Sequence, residues 1–286
     1  MFDHYLITRF NLRNPEWDVT KNNEALLNDA WMEERMWLFG NFCFPSVTAQ
    51  TNKNFSWLIY FDITTPQKYK DMVTAMVKGH DNVFVYFIDG MPAFYPEVEN
   101  TISSKSTGKH YLITSRIDND DAIHKDFIGE VQKTFNKQEY RAIDIIKGYS
   151  LQVKPTVMLG KKEHIFNPFI SLIEKLEPGI KPKTVWFNDH HIWKKETRVT
   201  QITHKRLWMA VIHEKNKVNN FNGYDNVDWG RLQQEFILSP EITQWIADNL
   251  IPHRQWLKLS IKNKVIVKYK VLSKSFKKML GIYKIK

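Results

Sequence analysis

Three carboxylates crowd into four residues at Asp118, Asp120 and Asp121, directly after the β-branched and apolar run from Tyr111 to Ile117. Strand interiors favour that run and exclude the acids. The acids therefore stand where a strand gives way to a loop, which is where ligands bind in α/β domains. Carboxylates this close repel one another unless a cation or hydrogen-bond donors hold them. Hard divalent cations such as Mg²⁺ and Mn²⁺ take oxygen ligands and share them with substrate phosphates. One reading is a seat for a metal-bound diphosphate. The other is a solvated acidic turn that opens the next helix, where Asp favours the positive end of the helix dipole. The spacing alone leaves both open.

Other residues invite the same double reading. The guanidinium forks of Arg9 and Arg116 suit phosphate, and Arg116 suits equally well a neighbouring acid. Asp62 precedes Thr64-Thr65-Pro66, so it is either a ligand contact or the cap of a helix beginning at Pro66. His213 closes an apolar run, as a metal ligand or as a structural histidine. His190, His191 and His204 lack zinc-ligand spacing. Trp186, Trp193, Trp208 and Trp229 could floor a sugar site, and core packing explains each of them as well.

The elements that must position these groups alternate. Strands are expected at residues 4–11, 55–61 and 82–88, and a fourth enters the acidic cluster. Helices are expected at 29–39, where Trp31, Arg35 and Leu38 recur at spacings of three and four, at 66–77, and within 97–109. This β-α-β-α-β-α-β order implies a mainly parallel sheet with right-handed crossovers. The strand ends at Arg9, Asp62, Asp89 and Asp118 would then share one edge. No GxGxxG loop occurs, which argues against a dinucleotide cofactor. Further on, the pattern predicts an amphipathic helix over 122–132 and a strand pair formed by 142–146 and 150–153. It also predicts a strand over 207–213 and a helix from Pro240 to Leu250 capped by Ser239.

The 286 residues, 43% of them hydrophobic, suffice for one large domain or two small ones. The single cysteine, Cys43, excludes an intramolecular disulfide or a multi-Cys zinc site and fits a reducing compartment. No secretory leader and no membrane-spanning apolar run is read. Charge is segregated: residues 254–286 hold one Arg and ten Lys without an acid, or +11, so with a total of +10 residues 1–253 carry −1. A near-neutral domain with a basic amphipathic tail does not suit nucleic acid, whose proteins spread basic charge over the fold. The tail suits an anionic membrane surface or a helix packed on the domain. The expected organisation is 1–253, divided into 1–121 and 122–253, followed by the tail at 254–286.

Tyr5-Leu6-Ile7-Thr8-Arg9-Phe10-Asn11, Trp57-Leu58-Ile59-Tyr60-Phe61-Asp62 with Thr65-Pro66, and Thr114-Ser115-Arg116-Ile117-Asp118-Asn119-Asp120-Asp121-Ala122 occur in this order. Together with Trp208-Met209-Ala210-Val211-Ile212-His213-Glu214-Lys215-Asn216 they resemble the rhamnosyltransferase family of nucleotide-sugar glycosyltransferases. The likeness covers roughly residues 4–220 and not the tail. It implies a GT-A-like, Rossmann-type α/β fold with a central, mostly parallel sheet flanked by helices. It implies a Mn²⁺- or Mg²⁺-dependent, inverting hexosyltransferase that uses a nucleoside-diphosphate sugar donor and a glycan or lipid-linked acceptor. Such an enzyme would be cytoplasmic, at the inner face of the cell membrane. Carried over, Asp118 and Asp120 are the Asp-x-Asp pair, with Asp118 toward ribose or metal and Asp120 on the metal. Asp121 supports the donor sugar, Asp62 contacts base or ribose, Arg9 lines the nucleotide pocket, and His213 completes the metal shell. Asp189 stands where the catalytic base is expected, with His190 or His191 as the alternative, although Asn188 replaces the usual Glu before it. The alternative is a non-catalytic protein that binds a nucleotide sugar, or nucleic acid through its tail.

Overall fold

The computed structural model describes residues 1–14, 28–106, 108–187, 192–214 and 220–282. The first half runs β1 (Phe2–Arg9), α1 (Asp29–Leu38), α2 (Phe44–Thr48), β2 (Ser56–Asp62), α3 (Gln67–Val77), β3 (Val83–Ile88), α4 (Gly90–Lys105) and β4 (Tyr111–Arg116). A π-helical turn at Phe39–Cys43 joins α1 to α2. Asn28 caps α1 by accepting from the Trp31 N–H at 2.8 Å, as a residue just before a helix does.

The second half is richer in strands. It runs β5 (Ala122–Ile123), α5 (Phe127–Gln132), β6 (Tyr140–Ile145), β7 (Lys147–Gln152), β8 (Met158–Glu163), β9 (Ser171–Lys175), β10 (Val199–Ile202) and β11 (Trp208–Ile212). Three helices finish it: α6 (Trp229–Leu232), α7 (Pro240–Asn249) and α8 (Leu257–Met279). Seven strands form the central sheet in the order β10-β6-β9-β4-β1-β2-β3. Among them only β9 runs against the rest. The sheet is therefore mostly parallel and is flanked by helices. Alternation along each strand feeds two cores: Leu6 joins the residues of α1, α3 and α5, while Tyr5 and Ile7 join those of α4. A smaller sheet, β5-β11-β7-β8, packs against α7 over a third core.

Three sequence expectations are corrected here. The segment 122–132 is not helical throughout: Ala122 and Ile123 pair antiparallel with Met209 and Trp208, and the helix starts at Phe127. Two apolar residues satisfy either period, and an available strand edge decides. The segments 142–146 and 150–153 do not pair with each other. Only Ile146 separates β6 from β7, too little for a hairpin loop, and the chain crosses there from the large sheet to the small one. The helix expected within 97–109 begins earlier, at Gly90, with Pro96 inside it. Ser239 does cap α7, accepting from the Ile242 N–H at 3.2 Å.

Candidate functional site

The carboxyl ends of β1, β2, β3 and β4 lie on one edge of the sheet, because these strands are mutually parallel. The acidic loop leaves β4 there and is tied to the end of β1. The Ile117 N–H donates to the Ile7 carbonyl at 3.3 Å, and the Asn119 amide donates to the Phe10 carbonyl at 3.0 Å. The three acids then diverge. Asp118 keeps 37% of its side chain exposed, 3.8 Å from Arg116. Asp120 is buried, and its Oδ2 accepts from Arg35 Nη1 at 2.5 Å and from His213 Nε2 at 3.1 Å. Asp121 turns the other way and accepts from the Val211 N–H at 2.9 Å, which joins the loop to β11.

These partners divide the charge. Burial opposes ionisation of Asp120, but Arg35 and His213 outweigh it and hold the carboxyl below its ordinary range. Asp121 has no cation so close. Burial, then the charges of Asp120 and Asp118, push its carboxyl well above the ordinary value. His213 is shifted upward: burial disfavours its cation, and hydrogen bonds to Asp120 and Glu34 more than restore it. Lys162 on β8 is buried and lowered to about 8 by that burial, with the charge of Asp121 acting against the shift.

Arg116 is buried and lies over the Trp186 ring, its guanidinium carbon 3.9 Å from the ring centroid, while that of Arg9 lies 5.4 Å from the same ring. Cation–π contact orients both forks at the edge where the acids stand. Asp62 is 1% exposed. It accepts from the backbone N–H and the Nε–H of Arg13 at 3.0 and 2.9 Å, and from the N–H and hydroxyl of Thr64 at 2.9 and 2.7 Å. Burial raises the Asp62 pKa, and these donors reverse that into a net lowering. Arg13 reaches on to Asp89, so the ends of β2 and β3 are bridged through it. The structure thus brings Asp120, Arg35 and His213 together, turns Asp121 to β11, leaves Asp118 beside Arg116, sets Arg9 and Arg116 on Trp186, and gives Asp62 to Arg13. Asp189 lies outside the described residues.

Sequence reasoning passed over Arg35, Glu34 and Lys162 as site residues. Arg35 carried a signal: it falls on the Trp31–Leu38 stripe of α1, and a cation on a buried stripe requires a buried acid. Lys162 gave none, since a strand lysine is ordinarily solvated.

The donor set can be tested against a metal. Among the described residues no group of three or more His, Cys, Asp or Glu side chains is already gathered as a cation cage. The chemistry nonetheless fits a hard ion that completes its shell with water and diphosphate oxygens. Asp118 is accessible, and both charged contacts of Asp120 fall on Oδ2 alone. The 3.1 Å between His213 Nε2 and Asp120 Oδ2 matches the about 3 Å between adjacent ligands of an octahedral ion with bonds of about 2.1 Å. Arg35 occupies the same oxygen and would share it with such an ion or withdraw.

A profile of the family described as "Putative rhamnosyl transferase" matches residues 3–224. No curated protein matches the sequence. Among solved structures, S. aureus TarS 1–349 in complex with UDP is similar at 12% identity and a TM-score of 0.43, over 73% of this chain and 60% of that one. The same protein in complex with UDP-GlcNAc gives 12% identity and 0.41, over 75% and 60%. The inositol-1-phosphate CTP transferase from T. maritima gives 9% and 0.35, over 73% and 89%. The chain thus spans about 60% of the length of the TarS 1–349 structures it matches.

Proposed function

The chain belongs to the rhamnosyl transferase family, and on that premise we propose that it transfers a sugar, rhamnose being one candidate, from a nucleoside-diphosphate donor to a hydroxyl of a glycan or lipid-linked acceptor. The observation that supports this most is the meeting of opposite charges at one sheet edge: Asp118 beside Arg116, which shares the Trp186 ring with Arg9. A diphosphate needs cations on its oxygens, and the two guanidinium forks offer them bidentately.

Asp118, Asp120 and His213 would hold Mn²⁺ or Mg²⁺, which when bound acts as a Lewis acid on the departing diphosphate. Arg35 keeps Asp120 ionised and fixed in position, and Glu34, 3.6 Å from Nδ1, holds the orientation of the His213 ring. Asp121, accepting from the Val211 N–H, joins the acidic loop to β11 so that Asp120 and His213 stay opposed. The Asp62–Arg13 pair lines the nucleoside side. The acceptor hydroxyl has a high pKa and must lose its proton as the bond forms. Asp189 is the proposed base, and a single displacement with one base inverts the anomeric carbon. The site of action is the cytoplasmic side, at the inner face of the membrane.

A panel of nucleotide sugars tests this by nucleoside diphosphate release with Mn²⁺, with Mg²⁺ and with a chelator. One donor should turn over only with the metal. Asp118→Asn and Asp120→Asn should each lower turnover at least about 100-fold, the size expected when one stabiliser of developing charge is lost. Undiminished turnover in both variants would overturn the metal–diphosphate reading. Donor binding without release from any sugar would favour a non-catalytic binder.

A further inference from the structure

Helix α8 is mounted the reverse way round from an ordinary surface helix, which buries an apolar stripe and exposes its polar face. The face it lays on the domain is largely polar. Buried Asn263 donates to the Gly223 carbonyl at 3.0 Å, and buried Ser260 accepts from the Asp225 N–H at 2.9 Å. Lys268 pairs with Glu163 at 2.6 Å and Lys264 with Asp225 at 2.9 Å. Val267 is the buried apolar residue of this face.

The opposite face carries Leu257, Ile261, Val265, Tyr269, Leu272 and Phe276, each 47–70% exposed. Their spacings are four, four, four, three and four, which at 3.6 residues per turn keeps them on one side of the helix. The stripe therefore runs about 30 Å along the helix. Exposed Lys258, Lys262, Lys270 and Lys277 accompany it, and no acid occurs between Arg254 and Lys286. No helix among the described residues is long and apolar enough to cross a membrane.

We propose that this outward stripe of α8 is a surface that seats the protein in the interface of an anionic lipid layer, with the helix lying in the membrane plane. An apolar stripe of this size does not stay in water without a partner. Charge complementarity selects the partner. A second copy docked stripe to stripe would bring two lysine-rich helices together with no acid between them. Nucleic acid would satisfy the lysines and leave the leucine, isoleucine and phenylalanine side chains wet. An anionic bilayer satisfies both, taking the apolar residues into the headgroup–acyl boundary and the lysines among phosphates. The docked polar face holds the helix formed before it meets lipid, so little ordering entropy opposes binding. The proposal extends the membrane-side placement given above and does not depend on the transferred sugar.

Co-sedimentation of the full chain with vesicles tests it. Phosphatidylcholine alone is compared with phosphatidylcholine mixed with phosphatidylglycerol, and nucleotide-sugar turnover is followed without lipid in parallel. The protein should partition strongly only onto the mixed vesicles. Leu272→Ser with Phe276→Ser should reduce partitioning at least tenfold, and each of Lys258→Gln and Lys262→Gln about fivefold. All four positions are exposed, so circular dichroism and lipid-free turnover should stay unchanged. Lost turnover with intact vesicle binding would reject the transferase reading alone. Three results would overturn the proposal: equal binding to neutral and anionic vesicles, binding indifferent to the serine pair, or a dimer in sedimentation that the serine pair dissolves.

Discussion

At the residue scale the centre of the site is a buried carboxylate whose ionised form Arg35 and His213 favour. Asp120 and Arg35 side chains are only 10% and 14% exposed, so neither can fall back on water. Arg35→Met should destabilise the protein by about 3–5 kcal/mol, the loss typical when one partner of a buried pair is removed, measured by urea unfolding. Arg35→Lys should recover part of it. Asp144 supplies a pH signature of the opposite kind. It is fully buried at the end of β6, and both its oxygens face the Phe166 N–H at 3.0 and 3.1 Å. Burial lifts its pKa to about 6 against the donated hydrogen bond. A carboxyl that holds its proton more tightly when folded stabilises at low pH and loses that contribution as pH rises through its folded pKa. Between pH about 4 and about 6 the wild type should therefore lose up to about 3 kcal/mol relative to Asp144→Asn. Parallel slopes for the two proteins in denaturation across that window would reject the assignment.

At the element scale the small sheet decides where β11 delivers His213. Strand β7 pairs in parallel with β11 from Gly148–Trp208 to Gln152–Ile212, and Trp208 lies over Gly148. A Cβ at that glycine would stand 2.1 Å from Trp208 Cδ2. The indole cannot yield easily. Its N–H donates to the Ile145 carbonyl at 2.7 Å, and it stacks on Phe169 at 5.0 Å between centroids. Gly148→Ala should cost at least about 1–3 kcal/mol by overpacking, read as a lower thermal midpoint. It should also disturb the Asp120–His213 contact by displacing β11. The strands of residues 1–121 and helices α1 and α3 were legible because each has a single period and a clear boundary, such as Pro66 at the start of α3, whereas α4 begins at Gly90, ahead of the polar stretch that suggested it. The partners of β5, β6 and β7 were not, because a short apolar run states its own conformation and not the strand beside it.

At the scale of the whole molecule, charge and apolar exposure are both concentrated on α8, away from a near-neutral body. Binding that rests on phosphate contacts alone weakens steeply with salt, whereas apolar insertion does not. Fluorescence anisotropy with duplex DNA should therefore show affinity at low ionic strength that disappears at physiological salt. Partitioning onto anionic vesicles under the same salt should persist. The tail also closes the fold. Lys274 donates to the Ile165 carbonyl at 3.2 Å, and Lys278 lies over the Phe166 ring at 4.7 Å. The basic tail is thus docked at its polar face and free at its apolar one, a division that composition could not reveal.

The sequence by itself determined the alternating α/β plan, the placement of Asp118, Asp120 and Asp121 at a strand end, the segregation of charge into residues 254–286 and the likeness to a sugar-transferase family. Each of these is local: a period, a terminator, a run of one charge or an ordered motif. Only the tertiary structure decided that Arg35 neutralises Asp120, that Asp121 turns away to β11, that Trp186 orients Arg116, and which side of α8 faces outward. Those outcomes depend on which distant groups share a low-dielectric interior, where an unpaired charge is costly. Arg35 and Asp120 are 85 residues apart, and a motif read along the chain cannot supply that pairing.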